Sequence, residues 1–497
     1  MHLTDEQLAV IEAEDDLMAV TAYAGTGKTS TLRAYARKRP NETMLYLAFN
    51  KTMAGDAEKA FAGTPNVYVK TLHALAYQAF GKHFVGKLGN YRVLDLERYF
   101  PYQENGRAIG AARILFELLN SWTISSERMI RDFYKKSVRL FHADMKDAKV
   151  SSETMEEALE KVWDDMLSRR FIMTHNGYFK LFQLSNPGLP HFNTILIDEA
   201  QDINDAMFHT VMGLEGKKIL VGDPYQQIYG WNGAVNALGK AVKRGAASYF
   251  LTRSFRCPDR VAALANRYLE LLGARKKFKG TSLSVESSEP HKCGKVVIAR
   301  TNATIFDFAA RNMFKMKIFY NGGFHGYQFE ILKDINYLRI GARDLVRDPF
   351  IRKFSSYGAL DSYAGEAQDI VMKARLEVER KYGREVHHVY NCMFRTSALD
   401  EKEADLVIST AHKAKGQEYG DVTLLSDFIS LSDVFEQAEK EQEKPQSLTV
   451  SREEFHLIYV AVTRSFNKLS VPRAYIFGED AVKHFRTLVK KREIIFV

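Results

Sequence analysis

The sequence predicts an α/β protein with two parallel-sheet domains, each interrupted by a mainly helical insertion. Short, predominantly apolar runs that end in turn-forming residues recur in two parts of the chain, as is typical of buried parallel strands. Long stretches with a mixed, helix-like pattern separate those runs. At 497 residues the chain is too long for one hydrophobic core, so we expect several domains.

The composition is that of a soluble globular protein, with 46% hydrophobic and 26% charged residues. The net charge of +9 permits a polyanionic partner without requiring one. Cys257, Cys293 and Cys392 are widely spaced, which argues against disulfides, zinc ribbons and iron–sulfur clusters. The sequence also has neither an apolar signal region nor an apolar run of membrane-spanning length. We therefore expect a soluble intracellular protein, in the cytoplasm or nucleoid of a prokaryote or an infected cell, or in a eukaryotic nucleus.

The first domain is predicted to comprise residues 1–80 and 177–249, with a helical insertion at 81–176. Its opening helix has a capping pattern, because Gln7 follows Thr4 by three residues. The predicted elements are helices at 3–13 and 28–38 and strands at 17–21, 44–49, 66–70, 194–197, 219–221 and 249–251.

The second domain is predicted at 250–310 and 394–497, with a second helical insertion at 311–393. Its predicted strands are 296–299, 406–409 and 422–425. The sequence shows no internal repeat. Two α/β units that each carry an insertion nevertheless indicate a duplicated architecture.

A phosphate-binding loop is predicted at Ala22–Thr29, AYAGTGKT, between a strand and a helix. Successive backbone N–H groups at a helix N-terminus can hold phosphate oxygens. Lys28 is then expected to reach the β- and γ-phosphates, and the Thr29 hydroxyl to bind Mg²⁺. Ala22 stands where the general pattern has glycine, so the match is imperfect.

Two carboxylates, Asp198 and Glu199, end the apolar strand Thr194–Ile197. Burying them is costly unless they serve a metal ion or a water molecule. Asp198 is predicted to hold Mg²⁺, and Glu199 to orient or deprotonate an attacking water. The alternative is that the pair only caps a helix N-terminus.

The segment Val221–Ala234, VGDPYQQIYGWNGA, follows another buried strand, so it is expected at the ligand-binding edge of the sheet. The Gln226 amide can donate to a phosphate or accept from a water. Tyr229 and Trp231 stand beside glycines and are poorly placed for a core role. These features predict a polar sensor next to a stacking surface, although a glycine-rich loop with one buried tryptophan is the simpler interpretation.

Arg256 and Arg464 are candidate arginine fingers, which stabilise the charge that develops as a γ-phosphate leaves. Arg256 comes just after a strand, and Arg464 ends an apolar run. Both belong to the predicted second domain, so they could complete the site only when the two domains close. Either arginine taken alone could instead form a surface ion pair.

Taken together, the ordered motifs resemble those of superfamily 1 DNA helicases of the UvrD/Rep type. The chain looks most like the F-box DNA helicase branch, although without an F-box. The resemblance spans nearly the whole sequence, and its motifs are LTDEQ, AYAGTGKT, LAFNKTMA, VKTLHALAY, LIDEAQD, VGDPYQQIYGWNGA, LTRSFRCP, VIARTNATIF, ISTAHKAKGQEYGDV and IYVAVTR.

The resemblance implies two RecA-like motor domains with ATP and Mg²⁺ bound between them. Gln7 would read the adenine, Phe255 would stack on it, Gln226 would sense the γ-phosphate and Glu418 would hold the ribose. The implied ATP-binding set is Gln7, Ala24, Gly25, Thr26, Gly27, Lys28, Thr29, Ser30, Phe255, Arg256, Gly416, Glu418 and Arg464. The implied DNA-binding set is Phe49, Asn50, Thr71, His73, Tyr229, Trp231, Thr410 and His412. For the two histidines the alternative is a core or capping role.

The implied activity is that of a monomeric motor that moves 3′→5′ on single-stranded DNA and unwinds the duplex at single-strand/double-strand junctions. An alternative is a translocase that displaces proteins with little unwinding. A different P-loop enzyme would leave the late motifs unexplained, and an inactive DNA-binding scaffold does not explain why Lys28 and Glu199 are present. Asn232 departs from the family pattern, where arginine is usual, and Gln417 replaces an apolar residue.

Overall fold

The structure is a computed structural model of the chain, and it describes residues 3–102, 105–186, 188–281, 294–442 and 447–497. Cys293, one of the three cysteines, lies outside the described residues. Within the described part of the chain, no helix is both long enough and apolar enough to cross a membrane.

The first domain is built on a six-stranded sheet in the order β3-β2-β4-β5-β1-β6, and every strand pair in it is parallel. The strands are β1 (Leu17–Ala22), β2 (Met44–Ala48), β3 (Val67–Thr71), β4 (Thr194–Ile197), β5 (Lys217–Gly222) and β6 (Ala247–Leu251). All six were predicted, because wholly buried parallel strands such as β2 and β4 have continuous apolar sequences. β6 crosses the domain boundary proposed at residue 249 and lies entirely in this sheet.

Helices cover the first sheet and form the first insertion. Those that pack in the first domain are α1 (Asp5–Glu12), α2 (Lys28–Lys38), α3 (Lys51–Ala60), α4 (Leu72–Ala79), α11 (Asp205–Gly213) and α12 (Ala237–Lys243). Between β3 and β4 the chain also forms α5 (Val93–Leu96), α6 (Asn105–Ile124), α7 (Ile130–Ser137), α8 (His142–Asp147), α9 (Ser152–Leu167) and α10 (His175–Ser185). The helix α10 crosses the boundary proposed at residue 176 and packs against α6, so we group it with the insertion. The capping box predicted for Thr4 and Gln7 is present in α1.

A second parallel sheet, in the order β10-β11-β9-β12-β14, forms the second domain. Its strands are β9 (Lys295–Ala299), β10 (Ile318–Tyr320), β11 (Leu406–Thr410), β12 (Tyr419–Leu424) and β14 (Ser465–Ser470). Two small sheets pair β7 (Arg253–Pro258) with β8 (Lys279–Thr281), and β13 (Leu448–Val450) with β15 (Ile494–Phe496). Since β10 belongs to the second sheet, the range proposed for the second insertion, 311–393, includes one strand of the domain it interrupts.

The second domain and its insertion carry the remaining helices. The domain contains α13 (Asp259–Leu271), α14 (Asn302–Asn312), α19 (Ala411–Ala414), α20 (Leu431–Gln442), α21 (Arg452–Val462) and α22 (Glu479–Lys490). Between β10 and β11 the insertion contributes α15 (Glu330–Arg339), α16 (Tyr357–Glu366), α17 (Ile370–Tyr382) and α18 (Val386–Thr396). The fold prediction of two parallel-sheet domains with helical insertions is therefore confirmed.

The two insertions pack against each other. One hydrophobic core extends from the first sheet through both of them. At their contact the Arg92 guanidinium lies 3.9 Å from the centre of the Phe350 ring. The Lys353 ammonium also pairs with Asp95 at 2.8 Å. The two halves of the chain therefore contact each other through their insertions as well as near the edges of the two sheets.

Candidate functional site

A cavity of about 490 Å³ opens at the carboxyl end of the first sheet, where residues that directly precede β12 and β14 of the second sheet face it. We call it the interdomain cleft. Nearly every residue predicted to bind nucleotide lines it, and these residues are Ala24, Gly25, Thr26, Gly27, Lys28, Thr29, Ser30, Asp198, Glu199, Gln226, Phe255, Arg256, Gly416, Glu418 and Arg464. Gln7 does not line the cleft. It is buried, and its amide donates to the Thr31 hydroxyl and accepts from the Thr4 backbone N–H.

In the loop between β1 and α2, two glycines leave the backbone without side chains, so a phosphate can approach it closely. Gly25 and Gly27 both have positive φ, +66° and +80°, which disfavours any side chain at these positions. A Cβ on Gly25 would lie 2.5 Å from the Cβ of Arg256, and one on Gly27 would lie 2.9 Å from Gln7 Nε2. Because α2 begins at Lys28, the loop presents backbone N–H groups at a helix N-terminus, as a phosphate site needs.

Lys28 and Glu199 form an ion pair of 2.9 Å at the floor of the cleft. Burial opposes the charge of Lys28, but the carboxylates of Glu199 and Asp198 outweigh it and raise the Lys28 pKa. Burial alone would favour a neutral Glu199, yet the ammonium groups of Lys28 and Lys415 lower its pKa to about 2. Glu199 also adopts a left-handed backbone conformation with φ of 50°, which is a strained geometry common at functional sites.

Asp198 and Thr29 provide the oxygen atoms that a magnesium ion prefers. The Tyr46 hydroxyl donates to Asp198 and also hydrogen-bonds with the Thr29 side chain, so the three groups are neighbours. Burial and the nearby Glu199 charge raise the pKa of Asp198, so a cation there would relieve an unfavourable charge. No group of three or more His, Cys, Asp and Glu side chains within the described residues is arranged to hold a metal alone. The residues therefore fit an Mg²⁺ ion that arrives with phosphate oxygens.

Gln226 joins the two domains. Its Oε1 accepts from a terminal nitrogen of Arg464 at 3.2 Å, and its Nε2 donates to Asp223 at 2.8 Å. The same Asp223 carboxylate accepts from the Tyr459 hydroxyl of α21 at 3.0 Å. Arg464 is 2% exposed, and burial lowers its pKa to about 10, so the guanidinium stays charged at neutral pH. A side chain from each domain is thus fixed by the other domain.

The second candidate finger, Arg256, forms an ion pair with Glu418. The resemblance assigned these two residues to different parts of a nucleotide, but in the structure they bind each other. The Arg256 Nε atom is buried without a hydrogen-bond partner. A negatively charged ligand in the cleft would therefore find an unsatisfied donor on Arg256.

Lys415 is a cleft residue that the sequence analysis missed. It comes from the second domain, and its Nζ donates to the backbone carbonyl of Gln226 at 2.7 Å and pairs with buried Asp202 at 2.5 Å. The ammonium also lies 4.8 Å from the centre of the Tyr229 ring. Its place beside Gly416 and Glu418 in one motif was the available signal, but its partners lie about 200 residues away in sequence.

The eight residues predicted to contact DNA define what we call the candidate strand face. On it, Phe49 and Tyr229 stack with ring centroids 5.3 Å apart and an interplanar angle of 17°. Trp231 packs edge-on to Tyr229 at 6.1 Å and is 75% exposed. An exposed ring of this size at a sheet edge can stack on an unpaired base. Tyr229 is largely enclosed and supports the exposed ring.

Three polar residues of the candidate strand face cap helices. Asn50 Oδ1 accepts from the Met53 N–H at 2.9 Å, Thr71 Oγ1 from Ala74 at 3.0 Å, and Thr410 Oγ1 from Lys413 at 3.4 Å. The predictions for these positions did not include the capping role.

The two histidines of the candidate strand face differ in surroundings. His73 packs edge-on against Phe179 of α10, with ring centroids 5.4 Å apart. Burial and the neighbouring His175 lower the pKa of His73 to about 4, so it is neutral at physiological pH. His412 lies 3.9 Å from the Glu453 carboxylate at the start of α21. His73 therefore contacts the first insertion, whereas His412 faces an acidic neighbour in its own domain.

The chain is similar to a known domain family and to two proteins named as F-box DNA helicases. The AAA domain family matches residues 6–232. The chain is 30% identical to F-box DNA helicase 1 of Gallus gallus over 94% of its own length and 48% of that protein. It is 28% identical to F-box DNA helicase protein 1 of Schizosaccharomyces pombe, again over 94% of this chain and over 57% of that protein.

A more distant similarity extends to bacterial proteins. The chain is 22% identical to DNA helicase II of Escherichia coli over 54% of its length and 40% of that protein. The chain spans about half the length of the two F-box relatives. The similarity to the F-box relatives covers 94% of this chain, whereas the AAA domain match stops at residue 232.

Proposed function

The chain belongs to the superfamily 1 helicases of the UvrD/Rep type, and we propose that it is a DNA-dependent ATPase that moves 3′→5′ on single-stranded DNA and unwinds duplex at junctions. Each half of the chain contributes charged groups to the interdomain cleft. Lys28, Asp198 and Glu199 come from the first domain, while Arg256 and Arg464 come from the second. This meeting of two half-sites is the observation that carries the proposal.

The groups at the floor of the cleft suit hydrolysis of a phosphoanhydride. A γ-phosphate would compete with Glu199 for the Lys28 ammonium, and Glu199 would then be free to orient and deprotonate a water molecule. Thr29 and Asp198 would hold Mg²⁺, which would neutralise phosphate charge. Arg464 and Arg256 would stabilise the charge that develops on the leaving phosphates.

Gln226 is suited to report nucleotide state because it touches Arg464 and stands three residues before Tyr229. Lys415 adds a second connection, since it binds the Gln226 carbonyl and lies over the Tyr229 ring. Closure and opening of the cleft would therefore shift the aromatic group beneath Trp231. Repeated shifts of a stacking surface on a single strand would produce stepping.

The first test measures ATP hydrolysis with and without single-stranded DNA. We expect DNA to stimulate turnover in the natural protein and Lys28→Ala to abolish both basal and stimulated turnover. Lys38→Ala is the matched control, since Lys38 ends the same helix and pairs with Glu12 on the surface. Turnover that is indifferent to DNA would instead indicate a different P-loop enzyme.

The second test determines the direction of movement and distinguishes duplex unwinding from translocation. Partial duplexes with a 3′ or a 5′ single-stranded tail distinguish the polarity, and we expect unwinding of the 3′-tailed substrate. Displacement of streptavidin from biotinylated single strands measures translocation separately. Displacement without duplex unwinding would favour the protein-displacing translocase over the helicase.

A further inference from the structure

We propose that a hydrogen bond between Asn176 and Asn232 ties the Trp231 loop to the first insertion and sets the position of the stacking ring. The loop, defined as residues 229–234, connects the Gln226 region to α12. The positioning role concerns the free protein, while its consequence for DNA binding rests on the proposed function. Asn232 is the residue of this loop that departs from the family pattern.

The tie joins two different parts of the fold. Asn176 lies in the first turn of α10, and its Nδ2 donates to Asn232 Oδ1 at 2.9 Å. The loop is also pressed against the end of α6, because a Cβ on Gly233 would lie 2.2 Å from Ile124 Cδ1. Gly233 has a φ of +69°, so the chain turns back at this contact. The insertion therefore contacts the loop at two adjacent residues, Asn232 and Gly233.

The base of the loop is held by the first domain. Gln227 Nε2 donates to the Ala234 carbonyl at 2.6 Å, and the Val235 N–H donates to the Ile203 carbonyl at 2.9 Å. These bonds close the loop but do not reach its tip. The Asn176 amide is the polar group that the insertion contributes there, and it binds Asn232, the residue directly after Trp231 in sequence.

The chemistry of the pair indicates positioning rather than strand contact. An amide at position 232 brings no charge to a phosphate, and its oxygen already accepts from Asn176. An arginine in its place could bind a phosphate directly but would not accept that hydrogen bond. The first turn of α10 also reaches His73, since the rings of His73 and His175 lie 6.3 Å apart. The insertion thus supports two parts of the candidate strand face at once.

The test in the free protein uses Trp231 fluorescence. The chain has three tryptophans, and Trp122 and Trp163 are 1% and 7% exposed, so quenching by acrylamide reports mainly on Trp231. We expect Asn176→Ala and Asn232→Ala each to change the quenching constant and to increase the local motion seen in time-resolved anisotropy. The double variant should show no additional change, because both single changes break the same bond.

Asn176→Asp distinguishes loss of the hydrogen bond to Asn232 from loss of packing at position 176. An aspartate still accepts from the Asn232 amide once that amide turns, so we expect motion of Trp231 close to that of the natural protein. Asn467→Ala is the control, because Asn467 donates to Asp421 at 3.0 Å on the far edge of the second sheet. Unchanged anisotropy in Asn176→Ala and Asn232→Ala would overturn the proposal.

DNA-stimulated hydrolysis provides the second measurement. The concentration of single-stranded DNA that gives half-maximal stimulation should rise about threefold to tenfold in Asn176→Ala, as expected for one lost hydrogen bond. The turnover without DNA should not change. If DNA does not stimulate hydrolysis by the natural protein, the proposed function is wrong. The fluorescence measurement still tests the role of the Asn176–Asn232 hydrogen bond in that case. A changed anisotropy with unchanged DNA dependence would overturn the role in DNA binding.

Discussion

The interdomain cleft and the candidate strand face use polar side chains in different ways. In the cleft, charged groups pair with one another, as Lys28 does with Glu199 and Arg256 with Glu418. On the candidate strand face, Asn50, Thr71 and Thr410 cap helices, and Trp231 is exposed to solvent. A charged ligand in the cleft can therefore replace the internal partners of these groups. On the strand face the polar side chains hold the framework, and Trp231 presents an exposed flat ring.

The difference follows from what each ligand demands. Phosphates require concentrated charge, and buried charge must be paired until the ligand arrives. Bases of any sequence stack on flat rings, and exposing a single ring to solvent costs little free energy. Loss of a cleft residue should therefore abolish turnover, while loss of a strand-face residue should weaken coupling.

The largest effect is expected for Arg464→Ala. Removing a finger that also holds Gln226 should lower turnover by about 10³-fold or more, with binding of a fluorescent ATP analogue reduced much less. Arg473→Ala, at an exposed arginine of the same domain, should leave turnover unchanged. A thermal melt of each variant excludes unfolding as the cause. Normal turnover in Arg464→Ala would remove the cleft's central cross-domain contact from the mechanism.

Trp231→Ala should give the next largest effect, on DNA affinity. Loss of one base–aromatic stack costs about 1–3 kcal/mol, so half-stimulating DNA concentrations should rise at least about fivefold. ATP binding without DNA should be retained. Phe314→Ala is the matched control, since Phe314 is 74% exposed and belongs neither to the cleft lining nor to the candidate strand face. DNA stimulation equal to that of the natural protein would contradict the stacking role.

A pH-dependent stability term is expected from Lys180 of α10. Its ammonium is buried against Trp122 and donates to the Ser125 carbonyl at 2.9 Å, and burial lowers its pKa to about 7. Unfolding restores the ordinary pKa of 10.5, so the unfolded chain binds more protons between these values. This residue's contribution makes the free energy of unfolding rise with pH, by up to about 1.4 kcal/mol per unit above pH 7.

Urea unfolding at pH 7, 8 and 9 measures that slope. Lys180→Met should flatten it, whereas Lys243→Met, at an exposed position of α12, should not. An unchanged slope in Lys180→Met would show that the lysine is charged and solvated in the folded insertion.

The smallest effect is expected for the capping residues. Thr71→Ala should lower the free energy of unfolding by about 1 kcal/mol, the usual cost of an N-cap. The hydroxyl proton of Thr71 remains available to a phosphate, so DNA affinity should also fall modestly. Ser151→Ala removes the cap of α9, where Ser151 accepts from Thr154 at 3.1 Å, and should cost similar stability without affecting DNA. Equal DNA affinity in both variants would make Thr71 purely structural.

Local sequence was sufficient to predict all six strands of the first sheet, three of the five strands of the second sheet and most of the cleft. A strand followed by a glycine loop, such as AYAGTGKT, or by two carboxylates, such as Asp198 and Glu199, brings its ligand groups to the sheet edge by backbone connectivity alone. The strands β10 and β14 of the second sheet were missed. A three-residue strand such as β10 carries little periodic signal, and the sequence of β14, SFNKLS, is too polar to resemble a buried strand.

The sequence by itself determined which chemistry the chain carries and at which strand ends it lies. The tertiary structure decided the partners of these groups. Lys415 pairs with Asp202, and Asn176 donates a hydrogen bond to Asn232. Gln7 hydrogen-bonds with Thr4 and Thr31. Such pairings join residues that are distant along the chain, and they depend on how the two sheets and the insertion pack. Periodicity and spacing describe each segment's own conformation, so they contain no information about which distant side chain will lie opposite.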